Sequence, residues 1–180
     1  MSGRFGIGAD TTLGWSYNNP LGTDTGTMGD QGGLQVTYWI AKMFAIELLL
    51  AFDYTTVSGD GDVEGSANQY GFGLRGLVPV AFTNDVNLEA VIGFAFAGAG
   101  SDMGTPDNSD DAVSATFLLI EIGLRPEWYI TDHFSIHTQV GVAISLLNED
   151  NTGVPNGSGA DINAFGAYDL LGNAGFTFYF

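Results

Sequence analysis

Basic side chains are scarce in this chain: Lys and Arg together number 4 against 21 Asp and Glu, a net charge of -17 over 180 residues. Nucleic acid is thereby excluded as a partner, because neutralising phosphates needs clustered Lys and Arg. Cysteine is absent, which removes disulfides, thiolate metal sites and a cysteine nucleophile. Long apolar runs are missing too. The greasiest window, Ala45 to Phe52, is broken by Glu47 and stopped by Asp53, so no segment reads as a transmembrane helix. Any membrane location would have to be by barrel. The opening MSGRFGIG has no charged start, long apolar middle or small-residue cleavage site, so export would need a signal peptide already removed ahead of it.

Glycine (27) and the aromatics Phe (13), Tyr (7) and Trp (3) are abundant instead. They fall in a two-residue rhythm, which puts one set of side chains on each face of an extended strand. Arg4 to Tyr17 sets Phe5, Ile7, Ala9, Leu13, Trp15 and Tyr17 against Gly6, Gly8, Asp10, Thr12, Gly14 and Ser16. The same alternation predicts further strands through 34–40, 46–54, 70–80, 86–97, 116–128 and 134–146, and a last one ending at Phe180. Between them, long polar stretches (18–31, 56–68, 98–113 and 148–163) alternate with tight turns near 41–43, 83–85 and 131–132. Eight strands with long and short connections in turn predict an all-β protein, one domain over 1–180. The architecture expected is an eight-stranded antiparallel up-and-down transmembrane β-barrel with short periplasmic turns and four long acidic extracellular loops. Both termini would then be periplasmic. Aromatic residues cluster at both strand ends: Trp15, Tyr17, Tyr54, Tyr70 and Tyr168 at one, Tyr38, Trp39 and Trp128 at the other. Two such girdles suit two membrane interfaces. Pro79 and Pro126 run against this reading, since proline donates nothing to a ladder, but both lie near short turns.

The last stretch, AFGAYDLLGNAGFTFYF, places Phe176, Phe178 and Phe180 on one face and Thr177 and Tyr179 on the other. A terminal Phe preceded by aromatics at alternate positions resembles the C-terminal assembly signal of bacterial outer-membrane barrels. With the strand count and the loop asymmetry, the whole chain resembles the small OmpA transmembrane-domain and OmpX-type barrels. That resemblance implies insertion by the barrel-assembly machinery and contact with outer-membrane lipid and lipopolysaccharide. Cell-wall anchoring of the OmpA kind is not expected, because no peptidoglycan-binding segment follows Phe180.

Alternation points Glu47, Arg75, Glu89, Glu121, Arg125, Glu127 and His137 inward, with Asp53, Gln139 and Asn173. Buried ions must pair, and Arg75 and Arg125 are the natural hubs. An interior this narrow is filled by side chains, so the expectation is a charge plug, with a narrow or gated channel for small solutes as the alternative. His137 is expected to pair with Glu127 across the hairpin, and His133 to lie in a turn. Asp60, Asp62 and Glu64, and then Asp107, Asp110 and Asp111, are candidates for holding Ca or Mg, although the spacing is not that of an EF-hand. No other cofactor is expected, since GFGLRG and GIGAD lack a strand-to-helix context. Enzymatic activity, which here would be that of a lipid-modifying outer-membrane enzyme, is not expected, because Ser and Asp of the outer loops have no His nearby. Three classes of function follow. The favoured one is a structural or surface-interaction protein whose outer loops meet lipopolysaccharide or a surface protein partner. A small-solute channel and a soluble lipocalin-like barrel are the other two.

Overall fold

A computed structural model describes residues 3–10, 33–58, 64–102, 113–151, 158–165 and 174–180. It contains ten strand segments: β1 (Phe5–Asp10), β2 (Gly33–Ala41), β3 (Phe44–Ser58), β4 (Glu64–Phe82), β5 (Val86–Asp102), β6 (Val113–Thr131), β7 (Phe134–Thr138), β8 (Val140–Asn151), β9 (Ser158–Phe165) and β10 (Ala174–Tyr179). No helix occurs among the described residues. All pairings are antiparallel, and the β5–β6 ladder joins the two arms of the sheet into a closed ring. β7 and β8 both pair with β6 and are separated by Gln139 alone, so they form one stave; β10 pairs with β7 and β9 with β8, forming another. The ten segments therefore make eight staves.

The break at Gln139 has a local cause. The register of β6 with β7 stops at Glu127↔His137 and resumes with β8 at Leu124↔Val140. Pro126 stands in the gap, and its missing N–H removes a rung. Pro79 sits where β4 and β5 shift register between Pro79 and Ala81, which makes room for a residue that cannot donate.

Strand parity sorts the chain into two surfaces. On the outside, Leu48, Leu74, Phe94, Ile120, Ile144 and Ile162 are consecutive partners across β3, β4, β5, β6, β8 and β9. The row above reads Leu50, Phe72, Phe96, Leu118 and Leu146. One row higher the belt thins: Phe52 and Tyr70 continue it on β3 and β4, while Gly98, Thr116, Asn148 and Ser158 share that level by register on β5, β6, β8 and β9.

Pairing does not end there. β3 and β4 stay in register to Ser58↔Glu64, β5 and β6 to Ser101↔Val113, and β8 reaches Asn151 with β9 starting at Ser158. The second, third and fourth long connections are thus shorter than polar composition predicts. Ladder hydrogen bonds form between backbones, so a strand persists after its side chains turn polar.

The inside is layered. Near the short turns lies an apolar cluster of Trp39, Ala45, Leu77, Val91 and Tyr179, with Tyr129 against it. Toward the long connections lies another, Leu49 and Ala95 with Ala51 and Leu119. Glu47, between Ala45 and Leu49 on β3, and Glu121, Arg125 and Glu127, between Leu119 and Tyr129 on β6, occupy the space between, whereas Glu89 stands on the short-turn side of Val91 on β5.

Closure predicts a specific cross-link. Ile7 of β1 lies directly opposite Phe178 of β10, although the two are far apart in sequence. With no native cysteine to interfere, an Ile7→Cys, Phe178→Cys double variant should form an intramolecular disulfide, seen as a mobility change lost on reduction. A barrel open at this seam would leave both thiols free to alkylation.

Candidate functional site: the lumen charge layer

Glu47 faces inward because its neighbours Ile46 and Leu48 belong to the outer apolar row. In register, Thr37, Glu47, Arg75, Gly93 and Glu121 stand side by side on β2, β3, β4, β5 and β6. Opposite charges directly across a ladder attract, and Glu47–Arg75 is such a pair. Arg75 and Glu121 are two strands apart with Gly93 between them. A Cβ on Gly93 would lie 2.6 Å from Glu121 Oε1 and 2.8 Å from Arg75 Cγ. Glycine at that position lets the two side chains meet across β5.

Arg75 is one hub. Its Nη1 donates to Asp10 Oδ2 at 2.8 Å and to Glu47 Oε1 at 3.0 Å, while Nε and Nη2 grip the two oxygens of Glu121. Arg125 is the second: Nη1 donates to Glu47 Oε2 at 2.6 Å, and Nε donates to Glu89 Oε2 at 2.9 Å. The Glu47 carboxylate therefore joins both arginines. It also accepts from Gln35 Nε2 and from Thr37 Oγ1 at 3.2 Å. Gln139 Nε2 donates to Glu121 Oε2 at 3.1 Å.

Buried carboxylates (Asp10, Glu47, Glu89, Glu121 and Glu127) outnumber buried guanidiniums (Arg75 and Arg125). Neutral donors make up part of the difference. Glu127 accepts hydroxyl hydrogen bonds from Ser135 at 2.6 Å, Tyr129 at 2.7 Å and Tyr179 at 2.8 Å. Such bonds to a charged acceptor are among the stronger ones available.

The structure places Glu47, Arg75, Glu89, Glu121, Arg125, Glu127, His137 and Gln139 in this interior, all buried. Asp10, Gln35, Thr37, Ser135, Tyr129 and Tyr179 join them without having been singled out. Every one lies on the inward parity of its strand, which was the available signal. The expected His137–Glu127 side-chain pair is corrected. The two are backbone partners, but the oxygens of Glu127 are taken by three hydroxyls, and His137 Nε2 instead lies 3.4 Å from Asp10 Oδ2. Gly175 stands between β7 and β1 at this level, and a Cβ there would strike the imidazole. His133 is in the turn after β6, where its carbonyl accepts from the Tyr179 N–H at 2.8 Å.

Trp39 is also corrected. Expected in a membrane girdle, it is fully buried in the lumen, because it is next to the outward Tyr38 and adjacent strand residues face opposite ways. Tyr38, Tyr54, Tyr70 and Trp128 are exposed on the outside, as are Phe176, Phe178 and Phe180. The Phe178 ring packs 4.8 Å from Phe134. Trp15, Tyr17, Tyr168 and Asn173 lie outside the described residues, as do the loop acids Asp60, Asp62, Asp107, Asp110 and Asp111. Asp53 is a backbone partner of Gln69, and Glu64 opens β4.

Together these features define an all-β protein with the architecture of a small outer-membrane barrel: closed, antiparallel, apolar outside and ionic within. No family model and no curated protein matches the chain. Among solved structures it is similar to Ail, the attachment invasion locus protein of Yersinia pestis, at 12% identity and a TM-score of 0.48, each chain covered to 100%. It is also similar to a major outer membrane protein from Thermus thermophilus, at 12% identity and a TM-score of 0.49, again with 100% of each chain covered.

Removing the shared carboxylate leaves two guanidiniums short of an acceptor. Glu47→Gln should therefore destabilise the folded barrel by about 3–5 kcal/mol, measured by equilibrium urea unfolding in lipid vesicles. Gly93→Ala should cost about 1–3 kcal/mol through overpacking. A Glu47→Gln protein within about 0.5 kcal/mol of wild type, the range of ordinary surface changes, would show that the network does not hold the barrel.

Proposed function

We propose that the protein is an integral component of a bacterial outer membrane, with both termini on the periplasmic side and a lumen plugged by its own side chains. Its role is structural or surface-interacting, exerted through the long connections at the other end of the barrel. The observation that carries this reading is the inversion of polarity. Ile92 and Ile122 are 62% and 63% exposed on the outer wall, while Glu47, Glu89, Arg125 and Glu127 are 0% exposed within. An apolar belt around the whole wall far exceeds what soluble monomers expose, and in a bilayer the same belt is covered by lipid. A lipocalin-like barrel would have the opposite pattern.

A channel reading is less well supported, because both lumen arginines are held by carboxylates from several staves and apolar clusters lie on either side of them. A catalytic role lacks a histidine base at the long-connection end: His133 is at a short turn and His137 is buried in the lumen. The proposed partners are outer-membrane lipid and lipopolysaccharide, the barrel-assembly machinery acting on Phe176, Phe178 and Phe180, and a surface protein reached by the outer connections. Ca or Mg held by their acidic side chains would bridge them to anionic lipopolysaccharide.

The protein should require detergent for extraction, migrate differently on gels before and after boiling, and be silent in planar bilayers. Recovery in aqueous buffer without detergent would overturn the membrane reading, and steady ion-selective conductance of the wild type would overturn the plug. Ile122→Lys should cost about 2–4 kcal/mol when the protein is refolded into vesicles, the penalty for a basic side chain near the bilayer midplane. Replacing residues 103–112 by a short Gly-Ser turn should preserve the gel shift and abolish Mg-dependent association with lipopolysaccharide. Unchanged association would remove that connection from the proposed role.

A further inference from the structure

The lumen contains a second obstruction that the side chains of Arg75 and Arg125 do not form. Trp39, Ala45, Leu77 and Val91 are direct neighbours on four consecutive strands, β2 to β5. All four are at most 2% exposed, forming an apolar row around one side of the wall near the short turns. The other side is filled by Tyr129 and Tyr179, whose ring centroids are 5.8 Å apart. Their hydroxyls are tied to Glu127, which fixes both rings in place. From below, the guanidinium of Arg4 lies 5.2 Å from the Tyr179 ring centroid and donates to the Asp132 carbonyl, so the start of the chain braces its end.

We propose that the lumen is closed twice in series, by the charge layer and by this apolar floor, and that the floor is a hydrophobic gate in its own right. The two barriers work by different physics. The ion pairs of Arg75 occupy the path one layer nearer the long connections than Leu77, and an apolar constriction at the level of Leu77 excludes water and therefore ions. Loss of the arginine layer alone leaves the path dry at the floor. Loss of the floor alone leaves it blocked by the ion pairs. The proposal rests on the plugged-barrel reading above, which the wild-type trace tests separately.

The experiment is single-channel recording in potassium chloride with four proteins, each first shown to be folded by its heat-dependent gel shift: wild type, Arg75→Ala, Leu77→Asn and the double variant. Leu77→Asn keeps the side-chain size and puts a hydratable amide into the apolar row. Wild type and both single variants should be silent, and the double variant should conduct steadily. Conductance by Arg75→Ala alone would make the charge layer the sole barrier, and conductance by Leu77→Asn alone would give that role to the floor; either overturns closure in series, as does a silent double variant. A conducting wild type would overturn the plug itself. Where Arg75→Ala does not fold, Arg75→Gln replaces it, and Val91→Asn replaces Leu77→Asn, with the same outcomes.

Discussion

One carboxylate shared by two guanidiniums holds the interior together. Glu47 gives one oxygen to Arg75 and the other to Arg125. Through Arg75 it reaches Asp10 on β1 and Glu121 on β6, and through Arg125 it reaches Glu89 on β5. A single residue of β3 thereby ties together staves on opposite sides of the ring. Apolar clusters above and below keep the layer from water, which strengthens each pair and raises the penalty for any unpaired ion. Taking ions out of water is costly, so a buried network of this kind is weak support for net stability. Its effect is on register. Slipping one strand by a single residue would turn its charged set to the outer wall and its apolar set inward, and no partner could follow.

The same constraint explains where the small residues fall. A carboxylate and a nitrogen-bearing side chain on alternate staves meet most directly where the stave between them offers no side chain at that level. Gly93 does this for Arg75 and Glu121, and Gly175 for His137 and Asp10. Glu127, without an arginine among its hydrogen-bond donors, is surrounded by hydroxyls from β6, β7 and β10. Charged and glycine positions form one pattern, and neither could be moved without the other.

Most of the architecture was legible because parity is strict: once Phe94 and Ile122 are outward, Glu89 and Arg125 must be inward, and the structure buries both. The members of the charge layer were legible for the same reason, whereas their pairings were not. His137 and Glu127 are adjacent in the ladder, yet which side chain each meets depends on reach across a third strand and on Gly175. Asp10 illustrates the limit. Its inward parity could be read, but its meeting with Arg75, 65 positions away, follows only from the closed ring. Trp39 was misplaced because the aromatic-belt tendency was set above parity. Strand ends were misplaced because composition reports what surrounds a side chain, while pairing continues for as long as a neighbouring backbone is available.

Continued pairing also shapes the end of the barrel that carries the long connections. The paired wall on the β3 to β6 side rises past the apolar belt to Ser58↔Glu64 and Ser66↔Asp102, so the connections there start from a hydrogen-bonded rim beyond that belt. A connection from such a rim spans less chain than one starting at the membrane surface, and the entropy lost in closing it falls with its length. The rim is also independent of the charge layer, because the apolar cluster of Leu49 and Ala95 lies between them. Changes in the long connections therefore leave the ion pairs of the charge layer untouched. A scaffold divided in this way can vary its long-connection end while keeping one interior, which is the division that the proposed surface role requires.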